Sequence, residues 1–255
     1  MEKLSVEIKK AGNILLEIGA LLMSSGASTG RIRVTINRIS ESLGYRSELL
    51  ITHRALMISV SDKEGNLQYS SLKRTSPHGV NFKLVSGISR MSWKIVDEKW
   101  PVDQIIKDVN RIKTLPHYPR IVILLFVALA GASFCRLFGG GLIEMLVAFT
   151  ATFSGLFVRQ EAQKKEFNPY LCVLFAAFTA TFIAGASVFY GIGRSAEEAF
   201  ATSVLFLIPG VPFINAFTDM IDGNISAGMA RMIHGLIISF AIALGMVISI
   251  LIFNL

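Results

Sequence analysis

Cysteine is almost absent: two occur in 255 residues, Cys135 and Cys172, both inside long apolar runs. That excludes a disulfide framework and any cysteine-built metal spacing, and neither a metal nor a cofactor is expected. Charge thins out as well. Residues 1–120 carry 19 Lys and Arg and 11 Asp and Glu, whereas the remainder carries 6 and 7. The basic excess of the first part is interleaved with acids and forms no run, so no nucleic-acid partner is expected; it suits a solvated domain beside an anionic lipid bilayer. No P-loop lysine accompanies the turn Gly26-Ala27-Ser28-Thr29-Gly30, so no ATP-driven motor is visible. The turn reads as a helix cap, with phosphate binding at a helix start as the alternative. Ser28, His53 and Asp62 are the residue types of a nucleophilic triad, but no nucleophile elbow surrounds Ser28 and nothing brings the three together. An enzyme is not expected.

What the sequence has in excess is apolar length. A helix crossing a hydrocarbon layer of about 30 Å needs ~20 mostly apolar residues, and in lipid its backbone groups find partners only within the helix. Five segments fit or come close: 121–138, 142–158, 170–190, 199–221 and 231–253. The second is the shortest and holds Glu144 near one end. The expectation is a membrane α-helical protein: an N-terminal α+β cytosolic head domain over 1–116, followed by five transmembrane helices over 117–255.

In the head, Leu4, Ile8, Leu15, Ile18 and Leu22 keep helical spacing, with Ala11 filling the one gap. The stretch superficially imitates a signal peptide, but Asn13 and Glu17 interrupt its apolar core, so a retained helix ending near Gly26 is expected. Ser28 or Thr29 caps a second helix, with Ile32, Ile36, Ile39 and Leu43 on one stripe and Gly44 as its stop. Leu56, Ile58 and Val60, a turn over Asp62-Lys63-Glu64-Gly65-Asn66, then Leu67 and Tyr69 predict a β-hairpin. Past a loop around Pro77 and Gly79, Leu84, Ile88, Met91 and Ile95 mark a third helix. Trp100-Pro101 breaks it, and Val102, Ile105, Val109 and Ile112 mark a fourth.

Arg111, Lys113 and Arg120 lead into the first span, and Arg159, Lys164 and Lys165 follow the second, whereas the opposite loops hold only Arg194. Positive charge favours the cytoplasm, which places the head inside and, with five spans, the C-terminus outside. The pentapeptide Phe-Thr-Ala-Thr-Phe occurs at 149–153 and at 178–182, as a trace of duplication or as a shared packing alphabet. Ala176, Ala180 and Ala184 recur every four residues, a spacing that lets helix backbones approach closely.

The fourth run is the most informative. In Pro209-Gly210-Val211-Pro212 the prolines remove two backbone donors and glycine permits an excursion, so the span is expected to break, with Pro212 opening a new half-helix. A broken helix at membrane depth exposes an N-terminus suited to a carboxylate; a plain kink is the alternative. Asn215, Asp219 and Asp222 then share one helix face, and Arg231 and His234 open the next helix one turn apart. Intramembrane ionisable groups mark pathways or pair with one another. Asn215 and Asp219, with Arg231 and His234, are therefore candidate pathway residues; Asp222 reads as interfacial. Arg136 and Glu144, flanking a glycine turn, are expected to pair at the outer surface, as a clasp or as a pathway mouth.

Ser25-Gly26-Ala27-Ser28-Thr29 with Arg31 or Arg33 following, the Pro209-Gly210-Val211-Pro212 break, and Asn215-x-x-x-Asp219 with Gly223 resemble the threonine/serine exporter family (ThrE-like), in its short, split, YjjP-like form. The resemblance runs over nearly the whole chain. It implies a protein of the bacterial plasma (inner) membrane, the head and first half of a transporter whose other half is a second small multi-span membrane subunit; a homo-oligomer is the alternative. It also implies export of a small carboxylate: a succinate-like dicarboxylate in the split branch, threonine and serine in the fused one. The competing readings are a membrane-anchored sensor or scaffold and, further off, a membrane hydrolase.

Overall fold

Among the described residues, periodicity of the head's apolar residues becomes four helices and a small sheet. The computed structural model describes residues 2–52, 54–62, 64–65, 68–75, 79–115, 118–193 and 196–255. His53, Lys63, Asn66, Leu67, Pro77 and Arg194, all named above, lie outside the described residues. By contacts the chain divides into two units, Met1–Pro116 with Val211–Ile233, and His117–Gly210 with His234–Leu255. The first unit runs from the N-terminal residues to 116 before the chain passes into the second. The head then reclaims a later stretch, 211–233, that the sequence assigns to the spans.

The first unit contains α1 (Glu2–Ser24), α2 (Thr29–Ser42), β1 (Arg46–Ile51), β2 (Ala55–Ser61), β3 (Gln68–Arg74), α3 (Phe82–Glu98) and α4 (Val102–Lys113). The expected hairpin is a three-stranded antiparallel sheet in the order β1-β2-β3, with Leu49 opposite Ile58 and Val60 opposite Tyr69. β1 escaped the sequence reading because it is an edge strand: its inner positions are only half-buried, and Leu50 points out. Leu15, Ile18 and Leu22 of α1, Ile32, Ile36 and Ile39 of α2, Leu56 and Ile58 of β2, and Ile88, Met91 and Ile95 of α3 form one fully buried core. Each such side chain contributes about 1.5–3 kcal/mol. The two polar residues that argue against a signal peptide have partners here. Asn13 accepts a hydrogen bond from the Tyr69 hydroxyl at 2.5 Å, and Glu17 pairs with Lys113.

The second unit is built on α5 (Arg120–Leu137), α6 (Leu142–Lys164), α7 (Pro169–Phe189), α8 (Ala196–Thr202) and a single 3-10 turn, Leu205–Leu207. α9 (Gly210–Ile221) starts at this unit's edge, and α10 (Ile225–Phe253) belongs to it from His234 onward. Among the described residues, four helices, α5, α6, α7 and α10, are long and apolar enough to cross a membrane. The fourth run of the sequence is a bent pair, 197–207 and 210–221 at 57°, and makes the count five if it is one span. The last helix starts at Ile225, ahead of the expected Arg231, because Gly223 (φ +80°) completes the reversal and nothing after it interrupts helical spacing.

Ala176, Ala180 and Ala184 are wholly buried on α7. A Cβ on Gly155 of α6 would stand 2.8 Å from the Ala176 carbonyl oxygen, and one on Gly245 of α10 would stand 2.8 Å from Ala177 Cβ. Small residues thus let α7 take a neighbour on two sides. The repeated pentapeptide serves the same packing: Thr152 donates to the Ser203 carbonyl at 3.4 Å, and Thr181 bonds Ser249 at 2.8 Å. Phe126, Leu146, Phe240 and Leu251 are exposed, an apolar surface that water would not tolerate at this extent and lipid does. This is a multi-pass membrane protein.

Candidate functional site

Two chain reversals of the first unit meet. The first is the α1–α2 turn, where Gly26 takes a left-handed φ of +86° and Ser28 caps α2 by accepting from the Arg31 N–H at 3.4 Å. The second is the α9–α10 turn at Gly223, closed by the Asn224 N–H donating to the Asp219 carbonyl at 2.7 Å. Gly228 lets α10 lie close on α9, since a Cβ there would stand 2.7 Å from the Ala216 carbonyl oxygen. Together these features hold Asn215 and Asp219 of α9 and Arg231 of α10 against the α1–α2 turn.

Their bonds form one network. Asp219 Oδ1 accepts from the Thr29 N–H at 2.9 Å, and Oδ2 accepts from Thr29 Oγ1 at 3.0 Å and pairs with Arg231 Nε at 3.2 Å. Both Arg231 terminal nitrogens donate to the Ala27 carbonyl at 3.1 Å, and Asn215 Nδ2 donates to the Gly26 carbonyl at 2.8 Å. Asp219 is 0% exposed and Arg231 8%. A helix N-terminus attracts negative charge through unpaired N–H groups and the macrodipole. At α2 that anion is supplied by the chain itself, so the Gly-Ala-Ser-Thr turn is both a cap and a carboxylate cradle. Arg33 adds an outer bond to Asn224 Oδ1 at 3.4 Å.

The remaining predicted residues fall elsewhere. Ile208 and buried Pro209 mark the break, and α9 starts at Gly210, so Pro212 is its third residue rather than its first. Proline fits anywhere in that turn because the missing N–H has no intrahelical partner there. Gly210 donates to the Ile208 carbonyl at 2.8 Å and faces open space; Pro212 lacks a donor, and among the described residues the Val211 N–H has no backbone acceptor. Arg231 pairs with Asp219 and not Asp222, which is exposed and lies over Gly30. His234 is one turn beyond Arg231 but belongs to the second unit, where its Nδ1 bonds the Tyr170 hydroxyl at 2.9 Å. Arg136 donates to the Gly140 carbonyl at 3.2 Å, and the buried carboxyl of Glu144 packs toward Gly141 and Gly193. The glycine turn brings a carbonyl within the guanidinium's reach.

Sequence reasoning missed Thr29, Ala27 and Gly26 as partners of this cluster. The available signal was an unpaired helix N-terminus in one half of the chain and a surplus carboxylate in the other.

Residues 13–253 match the family described as "Putative threonine/serine exporter" (ThrE). Over 249 residues the chain is 28% identical to the "Probable succinate transporter subunit YjjP" of Klebsiella aerogenes, spanning 95% of this chain and 94% of that protein. The protein of the same name in Escherichia coli K12 is 28% identical over 246 residues, with the same shares covered. The "Threonine/serine exporter" of Corynebacterium glutamicum is 23% identical over 91% of this chain, which spans 49% of that longer relative. No solved structure matches the chain. With its apolar helices, its interrupted fourth run and a match over nearly its full length, the chain belongs to the threonine/serine exporter family, a family of membrane transporters and not of enzymes.

Proposed function

We propose that the chain is one subunit of a secondary exporter of small carboxylates, with a succinate-like dicarboxylate as its first cargo class and threonine or serine as the second. It works with a second small membrane subunit in the bacterial inner membrane, with five spans, the head in the cytosol and the C-terminus outside. The observation that carries this reading is the interrupted fourth run followed by a buried Asp219–Arg231 pair in the next helix turns. Broken helices with ionisable side chains are how secondary transporters place carboxylate-binding groups near the membrane. The names of the YjjP relatives support the dicarboxylate and the word subunit, and the 49% share of the fused relative supports a second half. In this reading Pro209, Gly210, Val211 and Pro212 shape the pathway, Asn215, Asp219 and Arg231 form its polar end, and His234 lies further along α10.

The test is efflux of preloaded succinate and threonine from vesicles, normalised to protein in the membrane, with and without the complementary subunit. Succinate efflux that needs both subunits supports the proposal. Full efflux by the purified monomer refutes the partnership, and absence of efflux for both cargoes with both subunits present refutes the exporter.

A further inference from the structure

The head carries a second polar feature that the export pathway does not use: an open cleft of about 470 Å³ lined by Arg31 of α2 and by Ser86, Ser89 and Arg90 of α3. Its two arginines differ from Arg33 and Arg38 of α2. Arg33 is bonded to Asn224, and Arg38 donates to Ser92 at 3.0 Å with its guanidinium 3.7 Å from the centre of the Trp93 ring. Among the described residues, the side chains of Arg31 and Arg90 have neither an ion pair nor a hydrogen bond. Asp222, over Gly30, pairs with neither of them.

Two guanidinium groups opening into one cleft repel each other, and a bound anion turns that repulsion into attraction. Guanidinium is planar and offers paired donors that match an oxyanion edge. Ser86 and Ser89 are three apart, on one face of α3, and add two hydroxyl donors to the same wall. A cleft of a few hundred Å³ holds a small molecule.

We propose that this cleft is a binding site for a small dianion, of the dicarboxylate class, separate from the export pathway. Arg31 and Arg90 each take one oxyanion end, and the two serines bond the edge between them. The choice of a dicarboxylate rests on the exporter reading above; the anion site itself does not. Inorganic phosphate shares the chemistry, a compact dianion with several acceptor oxygens.

The test is calorimetric titration of the full chain, purified in detergent, with succinate and separately with phosphate. Succinate binding is expected to weaken at least tenfold in Arg31→Gln and in Arg90→Gln, and to weaken as salt is raised. Lys73→Gln, exposed on β3, is expected to bind like the parent. Phosphate binding with the same two losses, in place of succinate, keeps the site and assigns it to phosphate. Binding that survives both arginine substitutions but vanishes in Arg231→Gln belongs to the pathway and overturns the proposal, as does no binding of either anion. Efflux is read on the same variants: lost binding with retained efflux marks a site separate from the pathway and leaves the exporter reading standing. A parent that binds yet exports nothing sinks the exporter reading and not the cleft.

Discussion

Asp219→Asn tests the buried network most directly. The carboxylate receives two donors from Thr29 and pairs with Arg231, with no exposed surface. Asparagine keeps one acceptor oxygen and presents an amide NH2 in place of the other. Turned one way that NH2 meets the Thr29 N–H; turned the other way it meets Arg231 Nε. Either way donor faces donor, and the Arg231 guanidinium loses its counter-charge. Removing one partner of a buried pair costs about 3–5 kcal/mol, whereas replacing both by apolar residues of similar shape is often near neutral. The double variant Asp219→Leu with Arg231→Met still leaves the Thr29 N–H without an acceptor, a cost of about 1–3 kcal/mol. The single charge-neutral change is therefore expected to be worse than the double change that removes both groups. Both tryptophans, Trp93 and Trp100, lie in the first unit, so fluorescence-monitored unfolding in detergent reads this unit without labels. A parent-like midpoint for Asp219→Asn, or a double variant as unstable as the two singles summed, would falsify the account. The consequence for transport assays is direct: lost efflux in Asp219→Asn must be scaled to folded protein.

Other substitutions separate shape from chemistry. A Cβ added at Gly210 meets no atom within 4 Å, so Gly210→Val is expected to change stability by less than about 1 kcal/mol while efflux falls; normal efflux at equal abundance makes the break a packing kink. Gly228→Leu forces a side chain onto the Ala216 carbonyl and is expected to lower stability by about 1–3 kcal/mol, read by the same fluorescence; parent-like unfolding refutes the close approach. A reporter active only outside the cytoplasm, fused after Leu255, is expected to be active, and a silent one removes the five-span topology.

The helices were legible because each buries one stripe at constant period: Ile32, Ile36 and Ile39 on α2, or Ile105, Val109 and Ile112 on α4. β1 was not, since a half-buried edge strand written Arg-Ser-Glu-Leu-Leu-Ile lacks clean alternation. The break was legible from two prolines around a glycine, and its first helical residue was not, because a first turn accepts proline at several positions. Asn215, Asp219 and Arg231 carried a local signal, polar residues on one face beside apolar runs. Their partners carried none: Thr29 lies 190 residues from Asp219, and spacing along a chain says nothing about contacts at that separation.

The network also restricts where a cargo carboxylate can bind in the proposed exporter. At the start of α9 the Gly210 N–H is taken by Ile208 and Pro212 has none, so Val211 and the macrodipole act alone, a contribution of about 0.3–1 kcal/mol. The α2 terminus is far better equipped, with the Thr29 N–H, the Thr29 hydroxyl and Arg231, but it is filled by Asp219. Cargo carboxylate can use those donors only by exchanging with Asp219, one carboxylate for another at unchanged net charge. Asp219→Ala makes the exchange measurable, because it empties the cradle and leaves every donor in place. Acetate added to this variant is expected to restore its fluorescence-monitored stability, by about 1.4 kcal/mol when present at ten times its dissociation constant. Chloride at equal ionic strength restores less, lacking a second oxygen to span Thr29 and Arg231. The parent, already filled, is expected to respond to neither. Equal rescue by acetate and chloride reduces the effect to screening and removes carboxylate exchange from the mechanism.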